Sequence, residues 1–306
     1  MSSSVSRSIE IPSYAKLNLF LDVLSKRPDG YHELVTLFER ISLHDTIRLT
    51  ALSSDEIVIF SRGEDIPTDK TNLAYRAADL VKRSMGIKTG VKIDIEKNIP
   101  VGAGLAGGSS NAAAVLVGLN KLFCLKLSKK TLLGYADRLG SDVAFFIFNK
   151  PFAIGRGRGG ELSTLPLPKK IKLWHILFSP GIKVLTKDVY GLLDREEGLK
   201  MKAKTNMLTK KNHDVKILSA FLKSMDMVLL NQNIYNRLSE TVMKSYSLVS
   251  DLKTELNRFG LKYVHMSGSG PTLFCIFKTR SEARSMYDKL MLKFKNKLKI
   301  SLTTGA

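Results

Sequence analysis

Four glycines fall within seven positions of "PVGAGLAGGSSNAAA": Gly102, Gly104, Gly107 and Gly108. Leu105 and Ala106 stand between them, and Ser109 and Ser110 follow directly. Glycine reaches φ > 0 and lets backbone N–H groups approach a ligand closely. A helix start leaves its first N–H groups unpaired and carries partial positive charge. The alternating "VKIDIE" before the loop reads as a strand and the serine-alanine run after it as a helix, an order that cradles phosphate. The hydroxyls of Ser109 and Ser110 can donate to phosphate or ligate Mg²⁺. The competing reading is a flexible crossover with serine as an ordinary N-cap, which needs no such glycine density. Two other phosphate loops fit poorly. A Walker loop requires a lysine after its last glycine, and none is present. Gly102 to Gly107 match G-x-G-x-x-G, but no carboxylate ends a second strand about 20 residues on, where the chain reads "NKLFCLKLSKK".

A phosphate loop needs partners. In "GSDVAFFIF", Asp142 lies between a Gly-Ser turn and an apolar run, where it can cap a helix or act as a general base aimed into a cleft. In "PSYAKLNLFLDV", Lys16 and Asn18 share one face of an apolar strand while Leu17 and Leu19 face the core. A lysine beside an aspartate lowers the carboxyl pKa, and its charge stabilises phosphate oxygens as charge redistributes. Tyr31 and His32 follow a turn in "DGYHELVTLF"; they can stack on and hydrogen-bond a base or sugar, or lie on the surface. "HMSGSGPTLFCIF" is a second glycine-serine loop, in which Ser267, Gly268, Ser269 and Gly270 offer more N–H groups or a tight hairpin. His44, His175, His213 and His265 have no metal-ligand spacing with one another or with the cysteines, and no Ser-His-Asp signature occurs.

The elements that must position these groups are partly legible. Residues 9–24 read as strand, then strand again, around a polar centre, and Pro28-Asp29-Gly30 is a turn. "ELVTLFERISL", "DTIRLTAL" and "EIVIFS" resume the alternation. Thr71 or Asn72 caps a helix that Gly86 ends. "TGVKIDIEKNI" is a strand, and helices are expected from Ser109 and over residues 128–138. After a Gly-, Pro- and charge-rich crossing come a strand "IKLWHILFS", a short helix "TKDVYGLLD", a basic polar stretch at 195–215, and helices over 214–230 and 240–258. The end reads strand, strand, helix, strand, which with "IKLWHILFS" makes a split βαβ sandwich. Two α+β lobes meeting near residue 160 are expected.

The chain has 306 residues, 44% of them apolar, enough for two ordinary domains. No apolar run approaches the length a membrane helix requires, and "MSSSVSRS" reads as a frayed tail. Cys124 and Cys275 lie in apolar contexts and are expected as buried free thiols in a reducing, cytoplasmic setting. The net charge of +20 is spread widely, without an arginine-rich arm. It suits a basic solvated surface or the steering of an anionic small ligand better than nucleic acid as the main partner.

Together these segments resemble the GHMP kinase superfamily. "PVGAGLAGGSSNAAA" is similar to its central phosphate-binding motif, "PSYAKLNLFLDVLSKRPDGYHEL" to its N-terminal region, and "MSGSGPTLF" to its C-terminal glycine motif. The likeness runs over essentially the whole chain, and "DGYHE" after "AKLNLFL" resembles the members that act on a cytidyl diphosphate alcohol of the non-mevalonate isoprenoid pathway. The resemblance implies an α+β, two-lobed GHMP kinase fold. Residues 1–160 would form a ribosomal-S5-like lobe that binds ATP and substrate, and residues 161–306 a ferredoxin-like lobe. It implies Asp142 as the catalytic aspartate, Lys16 as the active-site lysine and Asn18 as a substrate-side residue. Tyr31 and His32 would hold the cytosine end, with Gly268 and Ser269 also on the substrate side. Residues 102–110 would hold the ATP phosphates, Ser109 would reach Mg²⁺, and Asn72 would line the adenosine region. The acceptor would be an anionic cytidyl diphosphate small molecule. No obligatory nucleic acid or membrane is implied, and a monomer or weak homodimer is expected. Other readings are another GHMP-type small-molecule kinase or a basic RNA-binding protein. Ala106 stands where the family usually has another glycine, and Pro271 where a small residue is commoner.

Overall fold

The computed structural model describes residues 7–168, 171–202, 214–295 and 297–306. Most of the expected tail and of the basic stretch at 195–215, with His213, lies outside them. The chain opens with two long strands, β1 (Ser8–Lys26) and β2 (His32–Leu52), antiparallel along nearly their whole length. The sequence suggested several shorter strands. The breaks in alternation are instead bulges, between Tyr14 and Ala15, Asn18 and Phe20, and Val23 and Ser25, which bend a strand without ending it.

Along its other edge β2 pairs with β4 (Gly90–Lys97) and with β5 (Phe152–Arg156). β3 (Ile57–Gly63) runs parallel to β4, across the crossover helix α1 (Leu73–Met85). β6 (Glu161–Thr164) pairs with β5, so the first sheet continues past residue 160. Asn72 caps α1 through the Ala74 N–H and Gly86 ends it in the left-handed region, as the residue types suggest. α2 (Gly107–Leu122) carries Ala112, Ala113, Val115, Leu116 and Leu119, all buried. A helix apolar on so many sides must be enclosed; it lies between the sheet and α1, α3 (Lys129–Leu139) and α4 (Val143–Phe148).

The second sheet contains β7 (Trp174–Ser179), β9 (His265–Met266), β10 (Leu273–Phe277) and β11 (Lys299–Thr304), in the order β11-β7-β10-β9. Every pairing is antiparallel. With α10 (Arg280–Phe294) between β10 and β11, this is the ferredoxin-like order. Between β7 and β9 run α5 (Thr186–Lys202), α6 (Val215–Ser224), α7 (Met227–Asn233), β8 (Tyr235–Asn236), α8 (Arg237–Ser245) and α9 (Ser247–Arg258). α5 continues past the short helix expected at "TKDVYGLLD". β8 leaves its own lobe and pairs parallel with β1 at Phe20 and Leu21.

The lobes share a core in which Leu17, Leu19, Leu37 and Ile41 pack with Leu177, Phe274 and Ile276. The face opposite that core corrects the expected amphipathic strand, because both glycine loops cover it. Lys16 and Asn18, placed by alternation on a polar face, are 3% and 4% exposed. The expectation of two buried thiols holds for Cys275 only; Cys124 is exposed.

A fully buried carboxylate, Asp45, anchors the region around the glycine loop. It accepts from Lys97 Nζ at 2.6 Å and from Asn111 Nδ2, Asn98 N and Ile99 N at 2.8 Å each. Asn111 also donates to Ser13 Oγ at 2.9 Å, and Ser13 donates to Ser110 Oγ at 2.8 Å. β2, the end of β4 and the first turns of α2 are thereby fixed to one another. Asp45→Ala would leave the Lys97 ammonium buried without its counter-charge. Unfolding in urea should show a loss of about 3–5 kcal/mol.

Candidate active site

Lys16 Nζ is held by three neighbours. It donates to Asn18 Oδ1 and, at 3.0 Å, to the carbonyl of Gly104, and it lies 3.8 Å from Asp142 Oδ2. Burial pushes the Lys16 ammonium below the ordinary lysine range, and the Asp142 charge opposes that shift. The amide orientation of Asn18 follows from its other end. The Thr36 hydroxyl gives its single proton to Phe20 O at 2.6 Å, so it must accept from Asn18 Nδ2 at 2.7 Å. Asn18 Oδ1 therefore faces Lys16. Asn18, expected on the substrate side, lines the cleft, but its side-chain bonds go to Lys16 and Thr36.

The two glycine loops meet over Lys16. A Cβ on Gly104 would lie 2.2 Å from the Ser267 carbonyl; one on Gly268 would lie 3.1 Å from Asn18 Oδ1 and 3.2 Å from Lys16 Nζ. Both residues have positive φ, 72° and 56°, which L side chains adopt only with strain. These glycines allow the close contact between the loops. Ser267 Oγ donates to Gly104 O at 3.0 Å, and Asn236 Nδ2 holds the second loop through Met266 O and Gly268 O at 2.9 and 2.8 Å. Ser269 Oγ pairs with Thr186 Oγ1 at 3.0 Å.

α2 begins at Gly107, two residues before the expected Ser109. Its first described backbone bond runs from Ser110 N to Ala106 O. The N–H groups of Gly107, Gly108 and Ser109 thus precede the intrahelical ladder, in residues that line the cleft. Ala106 holds φ 56° at the N-cap without a side-chain bond, a conformation that costs an alanine roughly 1–2 kcal/mol. Two residues of the loop point elsewhere. Leu105 is buried in the core between the lobes, and the Ser110 hydroxyl is taken by Ser13.

The cleft, of about 990 Å³, is lined by both loops, the start of α2, Lys16, Asn18, Tyr31, His32, Asn72, Asp142, Gly268 and Ser269. Asp142 precedes α4 but makes no side-chain cap bond, so the capping alternative is not taken; its side chain is 36% exposed. Asn72 spends its amide on Ala74 N and Pro67 O. The His32 ring stacks on Tyr190, with centroids 4.7 Å apart, and its Nε2 meets Asp194 Oδ1 at 2.7 Å. Tyr31 is 54% exposed beneath the Arg158 guanidinium, 4.6 Å from its ring. Burial, and then the Asp142 charge, push the Tyr190 hydroxyl well above the ordinary tyrosine range. Among the described residues no three His, Cys, Asp or Glu side chains cluster as a metal site.

Thr36, Tyr190, Asp194 and Asn236 escaped sequence reasoning as site residues, and the sequence offered Ser267 only for its backbone N–H, not for the hydroxyl that holds Gly104. Only "YGLLD" carried a signal, since its ends share a helix face at i and i+4.

A ferredoxin-like lobe against a sheet whose glycine loop opens a helix beside a lysine–aspartate pair defines a small-molecule kinase class. Sequence models described as "GHMP kinases N terminal domain" and "GHMP kinases C terminal" match residues 72–150 and 217–296. The 4-diphosphocytidyl-2-C-methyl-D-erythritol kinase of Alkaliphilus metalliredigens (strain QYMF) is 38% identical over 289 residues, 94% of each chain. That of Clostridioides difficile (strain 630) is 40% identical over 94% of this chain and 93% of its own. A crystal structure of 4-(cytidine 5'-diphospho)-2C-methyl-D-erythritol kinase superposes with a TM-score of 0.77 and 32% identity, covering 97% of this chain and all (100%) of that one. The chain belongs to the GHMP kinase family, ATP-dependent phosphotransferases, and within it to the group that bears these names.

Gly104→Ala should lower unfolding free energy by about 1–3 kcal/mol in a denaturant titration and reduce kcat, because the new methyl separates the loops that hold Lys16. Ala106→Gly relieves an αL alanine instead, and its melting temperature should match or exceed that of the parent.

Proposed function

We propose that this protein transfers the γ-phosphoryl group of ATP to the 2-hydroxyl of 4-diphosphocytidyl-2-C-methyl-D-erythritol, in the non-mevalonate isoprenoid pathway. The observation that carries the reading is one cleft that holds both the Lys16–Asp142 pair and the His32–Tyr190 ring pair. The first suits phosphoryl transfer and the second suits a planar base. The identity to relatives of that name supports the choice of acceptor.

In this mechanism Asp142 orients the acceptor hydroxyl and takes its proton as the new O–P bond forms. The bond from the γ-phosphorus to the bridging oxygen breaks, and ADP leaves. Lys16, fixed by Asn18 and Gly104 O, neutralises charge on the transferring group. The N–H groups of Gly107, Gly108 and Ser109 receive the phosphates, and the surface around Asn72 receives the adenosine. Tyr31, His32 and Tyr190 receive the cytosine; Gly268 and Ser269 bound the acceptor, and Arg158 and Lys187 face its diphosphate. Mg²⁺ would enter with the nucleotide, held by the phosphates and the Ser109 hydroxyl, and would screen phosphate charge. The exposed thiol of Cys124 supports a reducing, cytoplasmic setting. Among the described residues no helix is long and apolar enough to cross a membrane.

ADP release with Mg·ATP should be fast with the cytidyl alcohol and slow with mevalonate, homoserine and galactose; equal rates would sink the reading. Asp142→Asn should lower kcat by about 10²-fold or more, and Lys16→Met should depress kcat more than it raises the KM for ATP. Catalysis needs Lys16 charged, and burial lowers its pKa. The profile of kcat/KM, which reports the free enzyme, should therefore fall on the alkaline side below the ordinary lysine value of about 10.4.

A further inference from the structure

The environment of His32 carries information about which base the cleft accepts, an inference that rests on the cytidyl reading above. Asp194 Oδ1 lies 2.7 Å from His32 Nε2, and Asp194 Oδ2 accepts from Lys26 Nζ at 2.5 Å. Burial disfavours the Asp194 carboxylate, but the hydrogen bonds from Lys26 and His32 outweigh it and hold the carboxyl below its usual range. An ionised carboxylate only accepts hydrogen bonds, so Nε2 must carry the proton of a neutral His32. Nδ1 is then left with a lone pair. Among the described residues no protein group bonds Nδ1, and it is not among the buried polar atoms without a partner. The ring that carries it lines the cleft. Tyr190 and Asp194, one turn apart on α5, thus fix both the plane of the imidazole and its proton.

We propose that Asp194 is a positioning residue: by holding the proton of His32 on Nε2, it makes the cleft select a pyrimidine with a 4-amino group over one with a 4-oxo group. The amino group of cytosine can donate to the Nδ1 lone pair. The 4-oxygen of uracil would set one lone pair against another and leave both unpaired, a pairing error worth roughly ten- to a hundredfold in selectivity. The geometry asks for no change in the phosphoryl-transfer groups, so the effect belongs in KM rather than kcat.

Asp194→Asn tests this at constant size. An asparagine can present its own N–H to Nε2, which moves the imidazole proton to Nδ1 and turns the acceptor into a donor. The ratio of kcat/KM for the cytidyl substrate over its uridyl counterpart should fall at least about tenfold, through the KM of the cytidyl substrate and with kcat largely kept. Nitrogen-15 NMR of ring-labelled histidine, with His32 assigned by His32→Gln, should find the proton on Nε2 in the unliganded parent enzyme and on Nδ1 in Asp194→Asn. An unchanged ratio in Asp194→Asn or an Nδ1 proton in the parent would each overturn the proposal. A parent enzyme without preference for the cytidyl substrate would instead overturn the cytidyl reading, before any variant is made.

Discussion

The Lys16 ammonium is buried where β1 and both glycine loops meet, and much of the molecule is arranged to make that burial tolerable. A lone buried cation is costly, and a protein that keeps one must supply acceptors and an opposing charge. Here the acceptors are the Asn18 amide and the Gly104 carbonyl, and the opposing charge is Asp142. Each rests on a further support: Asn18 on Thr36, Gly104 on Ser267, and the Ser267 loop on Asn236. Asn236 sits in the two-residue strand that joins β1. The contact between the lobes and the geometry of the lysine are therefore one construction.

Asp45 plays the equivalent part behind the glycine loop. It accepts from Lys97, Asn111 and two backbone N–H groups, and so stabilises the end of β4 and the first turns of α2. A phosphate cradle built from backbone N–H groups depends on a fixed backbone, since a flexible glycine loop loses entropy on binding. The network also explains why α2 can start at a left-handed alanine. The loop is held on both sides, and the strain of Ala106 is a small opposing effect.

Residue types carried much of the site. Lys16, Asp142, the glycine-serine loops and the Tyr-His pair are brought to one cleft. What sequence reasoning missed came from elements distant in the chain: Tyr190 and Asp194 from α5, Asn236 and the hydroxyl of Ser267 from the second lobe. Their local signals are those of an ordinary amphipathic helix, a helix cap and a tight turn. Leu105 and Ser110 show the reverse. They sit inside a functional motif, yet packing turns one into the core and a hydroxyl from β1 engages the other.

By itself the sequence determined the alternation of strands, the cap and stop of α1, and the chemical groups available for phosphoryl transfer. Those properties are set by each residue and its near neighbours. Tertiary structure decided which face of β1 is covered, where α2 begins, and which groups share a proton or a charge. Alternation placed Lys16 and Asn18 on a polar face, but the two glycine loops cover that face and bury both, and burial lowers the pKa of the lysine. The orientation of Asn18 and the proton position of His32 likewise follow from Thr36 and Asp194, 18 and 162 residues away in the chain. Hydrogen-bond geometry between such distant groups exists only once the chain has folded.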